Sequence, residues 1–209
     1  MRVIDLAHVI EEGMTAYCDE ESASIKQLST IDNDGYNVLK IQLSTHTGTH
    51  IDSPNHIFKD GITVDEFDIN KFIGNAYLID CSDMEEIDLD TILKHEGEIR
   101  SAEYLILRTG WESKWNKETY FKDYPTLSYE ASKFLSELEN LNGIGIDCIS
   151  VDNEEGDLYN HKNLLSKGKI IIENICNLSD VEKRFKIIVS PLKLKDADGA
   201  PSRIYALIE

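Results

Sequence analysis

Three of the six histidines in this chain fall within eleven residues, in the segment STHTGTHIDSPNHIF at 44–58, with an aspartate among them. His46, Gly48, His50 and Asp52 are all even-numbered, so in extended backbone they point to one face. Two imidazoles and a carboxylate form a borderline N/N/O donor set that suits Zn²⁺ or Mn²⁺. Three protein donors leave a coordination position for water, as in catalytic sites. A structural zinc is closed by four donors, usually with cysteine among them. A straight strand would hold His46 and His50 about 13 Å apart, at ~3.3 Å per residue, which is marginal for sharing one ion. The backbone is therefore expected to bend at Thr47-Gly48-Thr49, where glycine permits it and presents no side chain. Pro54 then stops strand pairing and turns the chain, which can bring His56 back toward the same place. Polar residues of an exposed turn are the plainer alternative, better suited to a lone histidine than to this cluster.

Enclosing one ion, or binding two, takes donors from beyond this segment. His161 lies in YNHKNLLSKGKIIIENI, and Glu173 follows twelve residues later inside the apolar run 170–175. By strand alternation Glu173 shares a face with Ile171 and Ile175. A carboxylate on such a face is costly to bury unless it is paired or bound to a cation.

The elements that must position these residues are mostly strands. At 39–44 apolar and polar residues alternate, with Leu39, Ile41 and Leu43 on one face and Lys40 and Gln42 on the other, the pattern of a half-buried strand. Further strands are expected at 76–81, 104–108, 144–151, 170–175, 186–189 and 204–208, each rich in Ile, Leu, Val or Tyr. The clearest helix starts at Ser128, a suitable N-cap, and carries Ala131, Phe134, Leu135, Leu138 and Leu141 as an apolar stripe. Shorter helical pieces are expected at 64–72, 89–95 and 161–166. Strands, then strand–helix alternation, then strands again point to a mixed α/β domain with no regular doubly wound sheet. No linker-like tract or internal repeat divides the 209 residues, so a single compact domain is expected.

Composition narrows the partners. Acidic residues outnumber basic ones 39 to 21, and the net charge of −18 repels phosphate backbones and anionic lipid surfaces. Neither nucleic acid nor membrane is an expected partner; a small-molecule substrate is. The four cysteines are scattered without a CxxC pair, which suits reduced thiols, and Asp5, Glu11 and Glu12 interrupt any apolar leader. A cytoplasmic protein is expected.

The motif HTGTHIDSPNH at 46–56 resembles the signature His-x-Gly-Thr-His-x-Asp-x-Pro-x-His of the bacterial cyclase family of metal-dependent hydrolases, whose best-known members are kynurenine formamidases. The likeness extends to LILRTGW at 105–111, YPTLSYEAS at 124–132, HKNLL…IIIENICNL at 161–178 and PLKLKDADGAPSRIYAL at 191–207. It implies a swivelling β/β/α domain with a mixed sheet, assembled as a homodimer or a higher oligomer such as a homotetramer. It implies that His46, His50 and Asp52 hold a first metal, and that Asp52, His161 and Glu173 hold a second, with Asp52 bridging. His56 would be the proton-transfer residue, and the metal mostly zinc (one or two ions), with manganese in some relatives. Where kynurenine formamidases carry an aromatic followed by Pro-Gly in the substrate pocket, this chain reads MTAYCDEES at 14–22. Tyr17 can supply the aromatic that meets substrate, but Cys18 stands where proline is expected.

The activity implied is arylformamidase-like hydrolysis of a formamide, amide or cyclic amide C–N bond, with metal-activated water attacking and His56 passing a proton to the leaving nitrogen. Two rival readings share the site: a ring-opening enzyme resembling isatin hydrolase with a single manganese, and a non-catalytic metal-binding protein. A third, nucleophilic hydrolysis by Cys18 or Cys148, has no local motif behind it.

Overall fold

The computed structural model describes residues 1–153 and 156–208. The described strands, in chain order, are β1 (Arg2–Asp5), β2 (Ser24–Ser29), β3 (Val38–Gln42), β4 (His50–Asp52), β5 (Ile73–Asp80), β6 (Glu86–Ile87), β7 (Tyr104–Arg108), β8 (Thr126–Leu127), β9 (Gly143–Ile146), β10 (Ile170–Glu173), β11 (Arg184–Pro191) and β12 (Gly199–Ile208). The helices are short: α1 (Ile31–Asp34), α2 (Leu89–Leu93), α3 (Glu96–Ile99), α4 (Tyr129–Ser136) and α5 (Tyr159–Leu165).

Eight strands form one mixed sheet in the order β1-β12-β11-β5-β7-β9-β10-β4. Its centre, β5-β7-β9-β10, is parallel, and β7 and β10 read as near-continuous apolar runs because both of their faces are covered. β4 pairs antiparallel with β10 on one side and with β12 on the other, which closes the sheet on itself. The period-2 alternation then sorts side chains into two cores. Ile51, Leu78, Ile106, Ile172, Ile187 and Ile204, from strands all around the sheet, fill the closed interior. Leu105, Leu107, Ile144, Ile146 and Ile171 point outward beneath Ala131 and Leu135 of α4 and Leu164 of α5. His50 and Asp52 flank Ile51, and Glu173 follows Ile171 by two residues. All three therefore leave the sheet on the side that α5 covers. This is the swivelling β/β/α arrangement expected from the sequence.

Several expectations need correction. The strand read at 39–44 exists as β3, but it is exposed along its whole length, because it pairs only with β2 in a two-stranded ribbon. Leu39 and Ile41 are 51% and 56% exposed where the alternation promised a buried face. The strand read at 144–151 ends at Ile146, and the helix read over 64–72 is two 3₁₀ turns, Val64–Glu66 and Ile69–Phe72. The segment read as one helix over 89–95 divides into α2 and α3, the piece at 161–166 begins earlier as α5, and the apolar stripe to Leu141 outruns its helix. α4 stops at Ser136, after which Leu138 and Leu141 stay buried while their carbonyls accept hydrogen bonds from the buried Lys169 Nζ at 2.7 and 3.0 Å. Ile175 does not share a face with Glu173. Asn174 takes a left-handed conformation (φ 56°), ends β10 and turns Ile175 into the interior core.

Candidate metal centre

β4 and β10 bring the early histidine segment and the late acidic residue into one antiparallel pair, with Glu173 opposite His50 and Ile171 opposite Asp52. His50, Asp52 and Glu173 are 1%, 1% and 6% exposed, and His161, in the first turn of α5, is 4% exposed. His46 precedes the expected bend, where Gly48 sits at φ +64°. β12 passes close beside it at Gly199, where a Cβ would stand 2.7 Å from the Ile51 carbonyl oxygen and 2.9 Å from His46 Cε1. Only glycine fits that approach.

The donor atoms converge. His46 Nδ1 lies 2.9 Å and His50 Nε2 3.3 Å from Asp52 Oδ1, while His161 Nε2 lies 3.5 Å from Asp52 Oδ2. Glu173 reaches both sides, Oε2 at 3.5 Å from His50 Nε2 and Oε1 at 3.5 Å from His161 Nε2. Donors bound at ~2.0–2.2 Å around a tetrahedral ion lie roughly 3.3–3.5 Å from one another, and most of these separations match. Three triads result: His46–His50–Asp52 and Asp52–His161–Glu173, which share Asp52, and a more exposed His46–His56–Asp198 beside them. His50 Nε2, both Asp52 oxygens and Glu173 Oε1 are buried yet make no hydrogen bond. Orphaned polar atoms of this kind are expensive unless a cation takes them up, so the residues fit a divalent metal.

The outer nitrogens of the same imidazoles are engaged elsewhere, which fixes the rings. His50 Nδ1 lies 2.9 Å from the Gly48 carbonyl, His161 Nδ1 lies 2.7 Å from Asp152 Oδ2, and His46 Nε2 lies 2.9 Å from Asp198 Oδ2. A carboxylate or carbonyl can only accept, so each of these nitrogens carries the hydrogen and the other ring nitrogen faces the cluster. Asp152 also accepts from the Asn160 and His161 amides at the start of α5, which seats the helix and its histidine together.

Charge follows geometry. Burial alone would lower the His46 and His50 pKa values, but neighbouring carboxylates outweigh it. Asp198 and Asp52 carry His46 up to about 10, and Asp52 and Glu173 carry His50 to about 9. Burial opposes the charged form of Asp52 too, yet His161, His46 and His50 hold it well below the usual carboxylate range. A set of acids this crowded demands positive charge, whether protons or metal.

His56 leaves β4 through the 3₁₀ turn Pro54–His56, and its ring centroid lies 4.3 Å from that of His46. Its Nδ1 is 3.3 Å from the same Asp198 oxygen that holds His46. A cavity of about 290 Å³ opens over His46, His50, His56, His161 and Glu173, and Tyr17 is among the residues that line it. Cys18 and Cys148 do not line it, and neither offers an activated thiolate. Burial first, then nearby acids, pushes the Cys148 thiol well above its usual range, and the Cys18 thiol is also raised.

Sequence reasoning missed Asp198, Asp152 and Asn174. The Asn174 amide donates to the Gly48 carbonyl at 2.9 Å, its side-chain oxygen accepts from Tyr120, and its main-chain oxygen accepts from Thr49. The only available signals were an acid beside the glycine in DADGAP and an asparagine directly after Glu173.

A buried double triad open to a cavity on one side, set at the closing strand of a mixed sheet, is a candidate metal centre, and likeness to known proteins makes the chain a metal-dependent hydrolase. The chain belongs to the cyclase family: residues 4–153 match the sequence model of the "Putative cyclase" family. It is 34% identical over 203 residues to a kynurenine formamidase of Bacillus mycoides, covering 96% of this chain and 94% of the relative. In structure it resembles isatin hydrolase A of Labrenzia aggregata, at 27% identity and a TM-score of 0.87, covering 99% of this chain and 93% of that one. It also resembles a structure described as a potential metal-dependent hydrolase with cyclase activity, at 26% identity and a TM-score of 0.81, over 98% and 96% of the two chains.

Proposed function

We propose that this chain is an arylformamidase-like amidohydrolase that cleaves a formamide, amide or cyclic amide C–N bond. One observation carries the reading: orphaned buried donors of His50 and Glu173 line an open cavity that His56 also lines, with the orphaned Asp52 carboxylate behind them, 3.3 Å from His50 Nε2. His46, His50 and Asp52 would hold one ion, and Asp52, His161 and Glu173 a second, with zinc the expected metal and manganese the alternative. Such an ion, when bound, supplies Lewis acidity, lowering the pKa of water and polarising a carbonyl oxygen.

The remaining work falls to the chain itself. Asp198 accepts from Nδ1 of His56, which leaves Nε2 as the nitrogen that hands a proton to the departing amine. Tyr17 and Tyr124 line the cavity wall where an aryl group would pack. The floor of the cavity is buried at His50, His161 and Glu173, which limits water there, where fixed dipoles and charges act most strongly. Oligomerisation as a homodimer or homotetramer is supported by the β2–β3 ribbon, where Leu28, Leu39 and Ile41 stand exposed. No helix among the described residues is long and apolar enough to cross a membrane, and a cytoplasmic location suits the four free cysteines.

The test is a substrate panel. Purified protein, stripped and reloaded with zinc or manganese, is assayed against aryl formamides, open-chain amides and cyclic amides including isatin. Chelator-sensitive hydrolysis of the formamides supports the reading. Turnover of isatin alone, best with manganese, favours the ring-opening alternative suggested by the likeness to isatin hydrolase A.

A further inference from the structure

Beyond the donor cluster, the cavity wall is built by Tyr17 and Glu21 of the N-terminal segment together with Tyr124, Ile149, Asn153 and Leu158. Among the described residues that line it there is no lysine or arginine. Glu21 is the acidic side chain of that wall outside the donor cluster. It closes a 3₁₀ turn, Asp19–Glu21, whose other two residues are acidic and exposed. The ring of Tyr124 is pinned by its hydroxyl, which donates to the Asp152 carbonyl at 2.8 Å. The wall thus joins a negative charge to aromatic side chains, a combination that suits organic cations better than anions.

We infer that Glu21 sets the charge preference of this site, selecting amides whose ring portion carries an ammonium group and rejecting those that carry a carboxylate there. The inference rests on the hydrolase reading above. An anionic ring substituent entering this wall gives up hydration beside Glu21 and finds no counter-cation, whereas an ammonium group finds one. Metal ions attract anions at the donor cluster itself, so the discrimination concerns the substituent remote from the scissile bond. The chain's net charge of −18 adds to the same bias during approach.

Three formanilides differing only at the para position (aminomethyl, carboxamide, carboxylate) are compared by kcat/KM on zinc-loaded protein. The three matching anilines are compared by calorimetric binding, which needs no hydrolysis. The expected result is at least a ten-fold preference for the aminomethyl over the carboxylate compound in both measurements. Glu21→Gln should shrink that ratio toward one, and Glu21→Lys should reverse it. A wild-type ratio at or below one, or a preference that survives Glu21→Gln, overturns the inference. Should the anilines show the preference while no formanilide is hydrolysed, the charge selection stands and the hydrolase reading falls.

Discussion

Glu173 stands directly across the β4–β10 pair from His50, its Oε2 3.5 Å from the imidazole Nε2, although the two lie 123 positions apart in the sequence. Backbone pairing of β4 with β10 brings these two side chains together, so this part of the candidate donor set is placed by the fold itself. Such preorganisation spares binding the cost of ordering two long segments.

Removing that carboxylate should empty part of the site. Glu173→Gln keeps the shape but offers a weaker, neutral oxygen, and elemental analysis after dialysis is expected to show fewer metal equivalents than wild type. Unchanged stoichiometry would refute a ligand role for Glu173.

His56 is expected to separate from the donors by the same assay. His56→Ala should retain its metal while kcat falls by roughly 10²–10⁴-fold, the usual worth of a positioned proton donor. Parallel loss of metal and turnover would make His56 a ligand instead.

Asp198 acts through two rings at once, one oxygen serving both His46 and His56. Asp198→Asn should cost about 10–100-fold in kcat, with metal affinity weakened and KM little changed, as for other groups that orient donor histidines. Asp198→Glu should recover part of kcat if orientation is the role. A change confined to KM would argue for substrate contact.

Protons and metal compete for the same nitrogens. His46 and His50 are raised above their ordinary values, so at pH 7 the metal-free protein holds them protonated. Zinc binding must therefore release protons, and affinity should rise with pH up to about 9–10. Calorimetry at pH 7 in two buffers of different ionisation enthalpy reads the release directly. Proton uptake, or none exchanged, contradicts this arrangement of charge.

The bend itself is a stability position. Gly48→Ala places a Cβ at φ +64° and 3.0 Å from Met14 Cε, so a loss of about 1–2 kcal/mol is expected, a fall in Tm of roughly 2–8 °C. An unshifted Tm would show that the loop relaxes freely.

The parts of this molecule legible in the sequence are those written in local spacing. HTGTHIDSPNH announces a donor set because imidazoles and carboxylate alternate around a glycine and a proline, and the apolar runs of β7 and β10 announce covered strands. Asp198 and Asp152 were not legible, because nothing local distinguishes a carboxylate that will meet a histidine ring through tertiary packing. The alternation of β3 was read correctly as a strand and wrongly as half-buried, since burial depends on what packs against a face and not on the face alone. Asn174 shows a third kind of gap: one left-handed residue cancels the alternation that would have put Ile175 beside Glu173.

The most direct test is anomalous diffraction at the zinc edge from zinc-soaked crystals. One or two peaks are expected, enclosed by His46, His50, Asp52, His161 and Glu173. Strong peaks only elsewhere, with those side chains left unliganded, would contradict that placement.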